Sequence, residues 1–373
     1  MIKNTVNPTK IIFGEGKFKS MFSLIKNKKV LIICTKRGKT FFINEFKKYK
    51  IKKNIFWIDD VKSNPSLQYL EKINTKSRNR KFDIIIGYGG GSVLDTSKVI
   101  SLMYSLNKKY KINYIIENIN NLTKNFKNNL IAIPTTAGTG SEVTPYATVW
   151  DTVKKKKLSL NHKKLFPKLA IVDPELTYHL PSEPTQNSGL DALNQSFESL
   201  WNKNYDFKVS IIAYRAINLS LKGLHMISEN LNNKKARYNL SKASLLAGLC
   251  ISKTRTSICH SISYPLTAYF KIPHGLACAF TMLAVMEYID KKNKNFFNKI
   301  NKFLNLKSNK ELIQKISGIF EKLEVKNKNK NLIGNFRNIM QLINQMQTPG
   351  RSDNFILPIN DKFIKSILRK SYY

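Results

Sequence analysis

At 373 residues the chain is long enough for two ordinary domains with separate cores, and 42% hydrophobic residues is a globular composition. No apolar run approaches the roughly 18 residues that would span a bilayer, and Met1-Ile-Lys-Asn opens onto no signal-like block, so the expectation is a cytoplasmic protein without membrane contact. Sixty-three Lys and Arg against 24 Asp and Glu give a net charge of +39, but the lysines are scattered from Lys3 to Lys370 with no aromatic platform between them, which argues for compositional bias over a specific nucleic-acid surface.

In chain order, the apolar runs Val30–Cys34, Asn54–Ile58, Asp83–Gly87 and Leu130–Pro134 read as strands, with helices at Phe41–Tyr49 and Ser66–Ser77 between them. That alternation predicts βαβ units and a largely parallel sheet. Further strand character follows at Ala147–Trp150, Lys157–Leu160 and Leu169–Val172, before Pro174, Pro181 and Pro184 punctuate the chain. The predicted boundary is near residue 181, giving domains 1–180 and 181–373. Helical spacing then dominates at Gly189–Trp201, Val209–Asn230, Ala236–Ser252, Leu276–Lys291, Asn295–Phe303, Lys310–Leu323, Leu332–Ile343 and Asp361–Lys370, with the Lys/Asn-rich stretches 291–295 and 324–331 read as solvated loops. The four cysteines Cys34, Cys250, Cys259 and Cys278 form no CxxC pair and read as reduced thiols, Cys34 being buried in its apolar run.

Chemistry concentrates in three places. Gly89-Gly-Gly-Ser-Val-Leu-Asp95 follows a strand and opens a helix near Ser92, where glycines let backbone N–H groups approach a phosphate and the helix N-terminus adds partial positive charge. A tight turn with Asp95 as a first-turn acid explains the same segment equally well. Thr135-Thr-Ala-Gly-Thr-Gly-Ser-Glu142 follows another strand with several hydroxyls, and two such turns on one sheet favour a cofactor crevice. Asp191 and Gln195 share a helix face with Glu198 another turn along; His260 and His274 follow, and Pro265 and Pro273 prevent one straight helix from carrying both. One carboxylate and two imidazoles are a donor set for a divalent metal with a position left for a carbonyl oxygen. His162, His179 and His225 read as ordinary structural residues.

Together these motifs resemble the iron-containing (group III) alcohol dehydrogenase family, from Asn7-Pro-Thr-Lys-Ile-Ile-Phe-Gly14 through Pro273-His274-Gly275. The resemblance implies a Rossmann-like α/β N-terminal domain with a mostly parallel sheet and an all-α C-terminal domain, the dehydroquinate synthase-like architecture, with the active site in the cleft between them. It assigns Gly89, Gly90, Gly91, Ser92, Asp95, Thr135, Thr136, Thr139 and Ser141 to cofactor binding, and Asp191, His260 and His274 to the metal. Two positions depart from the family: Gln195 and Tyr264 stand where histidines are usual. Gln195 is a poorer donor for Fe²⁺ or Zn²⁺, while Tyr264 offers a hydroxyl for proton delivery; the expected catalytic residues are Tyr264 and His274.

Within the family, Val143–Asp151, Gly189–Trp201 and His260–Ala268 are similar to the phosphonoacetaldehyde reductase branch, which makes 2-hydroxyethylphosphonate. Lys253 and Arg255 are then candidates for holding the phosphonate. Thr35, followed by Lys36 and Arg37, occupies the strand end where many relatives carry an aspartate, so NADPH is expected to be accepted as well as NADH. The expected cofactors are therefore NADH or NADPH and a divalent metal, Fe²⁺ before Zn²⁺, with a small anionic aldehyde as substrate and a homodimer or larger homo-oligomer as the assembly. Two alternatives stand beside this reading: a general short-chain alcohol or diol dehydrogenase, and a catalytically inactive relative that binds polyanions.

Overall fold

A computed structural model describes residues 7–49, 54–76, 81–106, 110–124, 126–154 and 156–373; the reading of Met1–Asn4, the lysine at position 3 and the predicted helix end at Ser77 lie outside them. The chain divides into two compact units, one of residues up to Thr136 and Gly140–Thr177, the other of Ala137–Thr139 and Tyr178–Tyr373.

The first unit contains strands β1 (Lys10–Phe13), β2 (Val30–Ile33), β3 (Ile55–Ile58), β4 (Ile84–Gly89), β5 (Leu130–Pro134), β6 (Tyr146–Asp151), β7 (Lys156–Asn161) and β8 (Leu169–Val172). Its helices are α1 (Ser20–Ile25), α2 (Lys36–Lys48), α3 (Leu67–Lys76), α4 (Gly91–Ser105), α5 (Ile112–Glu117) and α6 (Ile119–Leu122). Six strands form a parallel sheet in the order β1-β8-β5-β4-β2-β3, and β6 pairs antiparallel with β7. The runs VLII and LIAIP are buried along their whole length, as strands covered on both faces must be. Alternation divides them between two cores: Leu31, Ile33 and Ile85 pack on one face, while Val30, Ile32 and Ile86 join Phe18, Phe42 and Tyr88 on the other.

From β2 the chain steps outward to β3, and from β4 it steps outward the other way to β5. The C-terminal ends of adjacent β2 and β4 therefore form a topological switch point, where open α/β sheets bind ligands. The two ends carry Thr35 and Gly89–Ser92. Gly89 has φ +158°, and a Cβ there would lie 2.6 Å from Val93 Cγ2. Only glycine lets β4 turn so abruptly into α4.

The second unit is helical: α7 (Ser182–Leu200), α8 (Phe207–Glu229), α9 (Lys234–Thr254), α10 (Ile258–Phe270), α11 (His274–Lys292), α12 (Asn298–Leu304), α13 (Asn309–Lys322), α14 (Val325–Ile333), α15 (Phe336–Met340) and α16 (Asp361–Tyr372). One apolar core joins α7 to α16, and no helix of the described residues is long and apolar enough to cross a membrane. Three local expectations are corrected. The Lys/Asn-rich stretch 324–331 is largely helix α14, not a loop, because Val325, Asn329 and Ile333 make a buried stripe at four-residue spacing and Asn329 donates to the carbonyl of Leu276. The helix predicted over 332–343 is broken at Gly334, whose φ of +73° ends α14 before α15 begins. The strand β1 was not expected; it pairs with β8 at the sheet edge.

Candidate active site

Asp191 and Gln195 project from α7, His260 from α10, and His274 and Cys278 from α11. Donor atoms of Asp191, His260, His274 and Cys278 all lie within 4.8 Å of one another. Asp191 Oδ1 is 3.3 Å from His260 Nε2, and the two imidazole rings meet edge to face with centroids 5.2 Å apart. Close helix packing creates this convergence: a Cβ on Gly275 would fall 1.8 Å from the carbonyl oxygen of Asn187 and 3.0 Å from Asp191 Cβ, so α11 can lie against α7 at this point only without a side chain.

Beneath the cluster, the fully buried Glu198 organises the start of α10. Its Oε1 accepts from the backbone N–H groups of Cys259 (2.6 Å) and His260 (3.1 Å), and its Oε2 accepts from that of Ser257 (2.8 Å). These are donors that the first turn of a helix leaves without internal partners. The same Oε2 lies 2.6 Å from His260 Nδ1. With that carboxylate beside Nδ1, Nε2 faces Asp191, and a carboxylate behind the ring is a common companion of metal-ligating histidines.

Burial alone disfavours the charged form of His260, but the neighbouring Cys278, Glu198 and Asp191 outweigh it and hold the ring well above the usual imidazole range. Burial likewise opposes the charge of Asp191, and the hydrogen bond from His260, the charge on His274 and the amide of Gln195 overcome it, leaving the carboxyl below its ordinary value. The buried Gln195 Oε1 has no hydrogen-bond partner among the described residues. A negative, histidine-lined cluster with an orphaned acceptor beside it fits a divalent cation.

Tyr264 stacks over His274, with centroids 6.0 Å apart and planes 20° apart, and its hydroxyl accepts from Arg351 Nε at 3.1 Å. Pro265 sits inside α10, which nevertheless continues to Phe270; His260 and His274 are on separate helices, as the prolines required. Lys253 is exposed near the end of α9. Arg255 follows at the helix C-cap, half-buried with φ +63°, and Nη1 of its guanidinium lies 3.4 Å from where a Cβ of Gly350 would be. Arg351 Nη1 donates to the carbonyl of Gly350, so two guanidinium groups converge on that residue.

In the first unit, Gly90 caps α4, Gly91 begins it, and the N–H of Thr135 bonds the carbonyl of Gly89 at 3.0 Å, tying the two glycine turns together. A Cβ on Gly90 would lie 3.2 Å from Thr136. Ser92 Oγ accepts from Asn64 N, and exposed Thr35 caps α2 by accepting from Gly38 N. Asp95 and Ser141 turn inward. Ser141 Oγ donates to Asp95 Oδ1 at 2.6 Å, and Asp95 Oδ2 accepts from Thr148 N at 2.8 Å. The fully buried Lys98 completes the cage, donating to Ser141 Oγ (2.8 Å) and to the carbonyl of Tyr146 (2.6 Å). Thr139 belongs to the second compact unit, with Ala137 and Gly138.

Burial pushes Lys98 down to about 8, opposed by Asp95 and Glu142, and pushes the neighbouring Glu142 up to about 7 from 4.5. The folded chain thus keeps a proton on Glu142 that the unfolded chain loses as pH rises from 4.5. Its stabilising contribution is complete below that pH and is lost as pH approaches 7. Glu142→Gln, which cannot ionise, removes this decline, on the order of 1–3 kcal/mol, from a comparison of urea midpoints between pH 4.5 and 7.5. An unchanged slope would place the decline elsewhere.

The model of iron-containing alcohol dehydrogenases matches residues 8–174, and that of the Fe-containing alcohol dehydrogenase C-terminal region matches residues 185–372. The chain belongs to the iron-containing alcohol dehydrogenase family. It is an oxidoreductase of that family, and its α/β and helical units are the family's fold. An alcohol dehydrogenase of Thermococcus barophilus is 32% identical over 330 residues, 85% of each chain. The phosphonoacetaldehyde reductase of Streptomyces viridochromogenes is 36% identical over a shorter stretch of 159 residues, 43% of this chain and 40% of that one. Among solved structures, sulfoacetaldehyde reductase from Bifidobacterium kashiwanohense in complex with NAD+ superposes with a TM-score of 0.83 at 25% identity, covering 100% of this chain and 99% of that one.

Asp191, His260 and His274 come together as the sequence of this alcohol dehydrogenase led one to expect. Cys278, Glu198 in its orienting role, and Arg351 were missed. The first two carry a readable signal: Cys278 is four residues after His274 and Glu198 seven after Asp191, each on its partner's helix face. Arg351 carries none, being 87 residues from the tyrosine it touches.

Proposed function

We propose that this iron-containing alcohol dehydrogenase reduces a short anionic aldehyde, phosphonoacetaldehyde, to 2-hydroxyethylphosphonate, using NADH or NADPH. The observation that carries the reading is the convergence of Asp191, His260 and His274 in one buried cluster with Tyr264 and Arg351 at its edge. When bound, a divalent cation supplies Lewis acidity toward a carbonyl oxygen and a reduced nicotinamide supplies hydride. Asp191, His260 and His274 would hold the cation, with Glu198 standing behind the His260 ring at Nδ1. Tyr264 delivers the proton to the product oxygen; because its hydroxyl oxygen already accepts from Arg351, its own O–H is directed elsewhere.

Selectivity for an anion rests on Arg351 and Arg255, whose planar guanidinium groups match a phosphonate better than Lys253 on the exposed face. The partial likeness to a phosphonoacetaldehyde reductase and the full-length likeness to a sulfoacetaldehyde reductase support the same substrate class. The exposed Thr35-Lys36-Arg37 at the end of β2 presents no carboxylate to repel an adenosine 2′-phosphate, which supports use of either nicotinamide.

The test is kcat/KM of the metal-loaded protein for phosphonoacetaldehyde, propanal and butanal with each nicotinamide. Charged hydrogen bonds are worth about 1.5–3 kcal/mol, so a preference of roughly ten- to 100-fold for the phosphonate is expected, and Arg351→Ala should erase most of it through KM. Equal or better turnover of the alkyl aldehydes leaves an aldehyde reductase and removes the phosphonate assignment.

A further inference from the structure

Cys278 has no part in the reading above, yet it stands inside the cluster. Its side chain is fully buried, one turn along α11 from His274, and Sγ lies 3.9 Å from each ring nitrogen of that histidine. We propose that the thiolate of Cys278 is the fourth protein ligand of the metal, making an Asp/His/His/Cys site. The proposal rests on the reading of this cluster as a metal site and concerns which atoms form it.

Geometry carries it first. Residues four apart on a helix share a face, so α11 offers an imidazole and a thiol to one point. Four donors bonded at about 2.0–2.3 Å to a tetrahedral centre stand about 3.3–3.8 Å apart. The Asp191–His260 separation of 3.3 Å already has this length, and the His274–Cys278 separation of 3.9 Å needs only a slight contraction.

Donor chemistry points the same way. Gln195 offers the metal only a neutral, hard amide oxygen, whereas a thiolate is anionic and soft. Surroundings separate Cys278 from an ordinary core cysteine. Cys250, also fully buried, has as its polar contact the carbonyl of Val209 at 3.7 Å, while Cys278 is flanked by His260, His274 and Ser263. On binding, the S–H proton leaves to solvent and a sulfur–metal bond forms, with no change of oxidation state. A site with one sulfur donor favours zinc over iron more than an all-nitrogen-and-oxygen site does.

The test uses the full-length apoprotein loaded with Co²⁺ and read by absorption. Wild type is expected to show visible ligand-field bands together with a near-ultraviolet sulfur-to-cobalt charge-transfer band. Cys278→Ser keeps the first and loses the second, with cobalt affinity lower by roughly tenfold or more; Cys34→Ser and Cys250→Ser keep both. Ligand-field bands without charge transfer in wild type, or a charge-transfer band that persists in Cys278→Ser, overturns the thiolate while the metal site stands. Absence of any cobalt spectrum from the folded wild type overturns the metal reading itself and the proposal with it. Should Cys278→Ser fail to fold, zinc-edge X-ray absorption of wild type decides: one sulfur scatterer near about 2.3 Å supports the ligand, and nitrogen and oxygen scatterers alone exclude it.

Discussion

Asp191→Asn is expected to abolish metal retention and lower kcat/KM by roughly 10³-fold or more while the helical unit stays folded. The carboxylate is the one anionic oxygen donor of the four-residue cluster, and a neutral amide in its place removes both charge and a bond to the ion. Lewis-acid stabilisation of a developing oxyanion is worth several kcal/mol, and about 4 kcal/mol corresponds to 10³ in rate. Metal analysis after gel filtration, circular dichroism and steady-state rates check the three parts of this expectation. Normal metal content with a normal rate would remove Asp191 from the site.

Gly275→Ala should be the most damaging single methyl group that can be added to the second unit. The new Cβ would meet the Asn187 carbonyl oxygen at 1.8 Å and its carbon at 2.8 Å, atoms of a helix backbone that has no rotamer to change. Overpacking ordinarily costs about 1–3 kcal/mol; here α11 must move off α7, so about 3 kcal/mol or more is expected, a fall in Tm of roughly 6–12 °C for a unit of this size. His274 precedes the glycine and Asp191 faces it, so metal content should fall as well. Gly318→Ala supplies the contrast. A Cβ there meets nothing within 4 Å in the interior of α13, and the change should stabilise by about 1 kcal/mol. Equal melting temperatures for the two variants would refute the steric account.

Much of this was legible in the residues. The runs Val30–Ile33 and Leu130–Pro134 are apolar throughout because a parallel sheet covers both faces, and such runs advertise themselves. Asp191, His260 and His274 stood out because their chemistry is uncommon and two prolines separated the histidines. Less visible was α14, whose lysines and asparagines look solvated although one stripe of three residues anchors it. Cys278 was hidden by its ordinary role as a small hydrophobe, and the Arg351–Tyr264 pair by sequence distance, since no periodicity joins residues in different elements. Asp95 and Ser141 were legible as members of the glycine turns, but not that they bond each other.

The buried ammonium group of Lys98 has a thermodynamic corollary for nucleotide capture. By gripping Ser141 and the Tyr146 carbonyl, with Asp95 held between Ser141 and Thr148, it freezes the turn after β5 against α4 as the domain folds. A pyrophosphate bound at this turn would meet a mould already set, and the disorder that a slack loop surrenders on contact would have been removed beforehand.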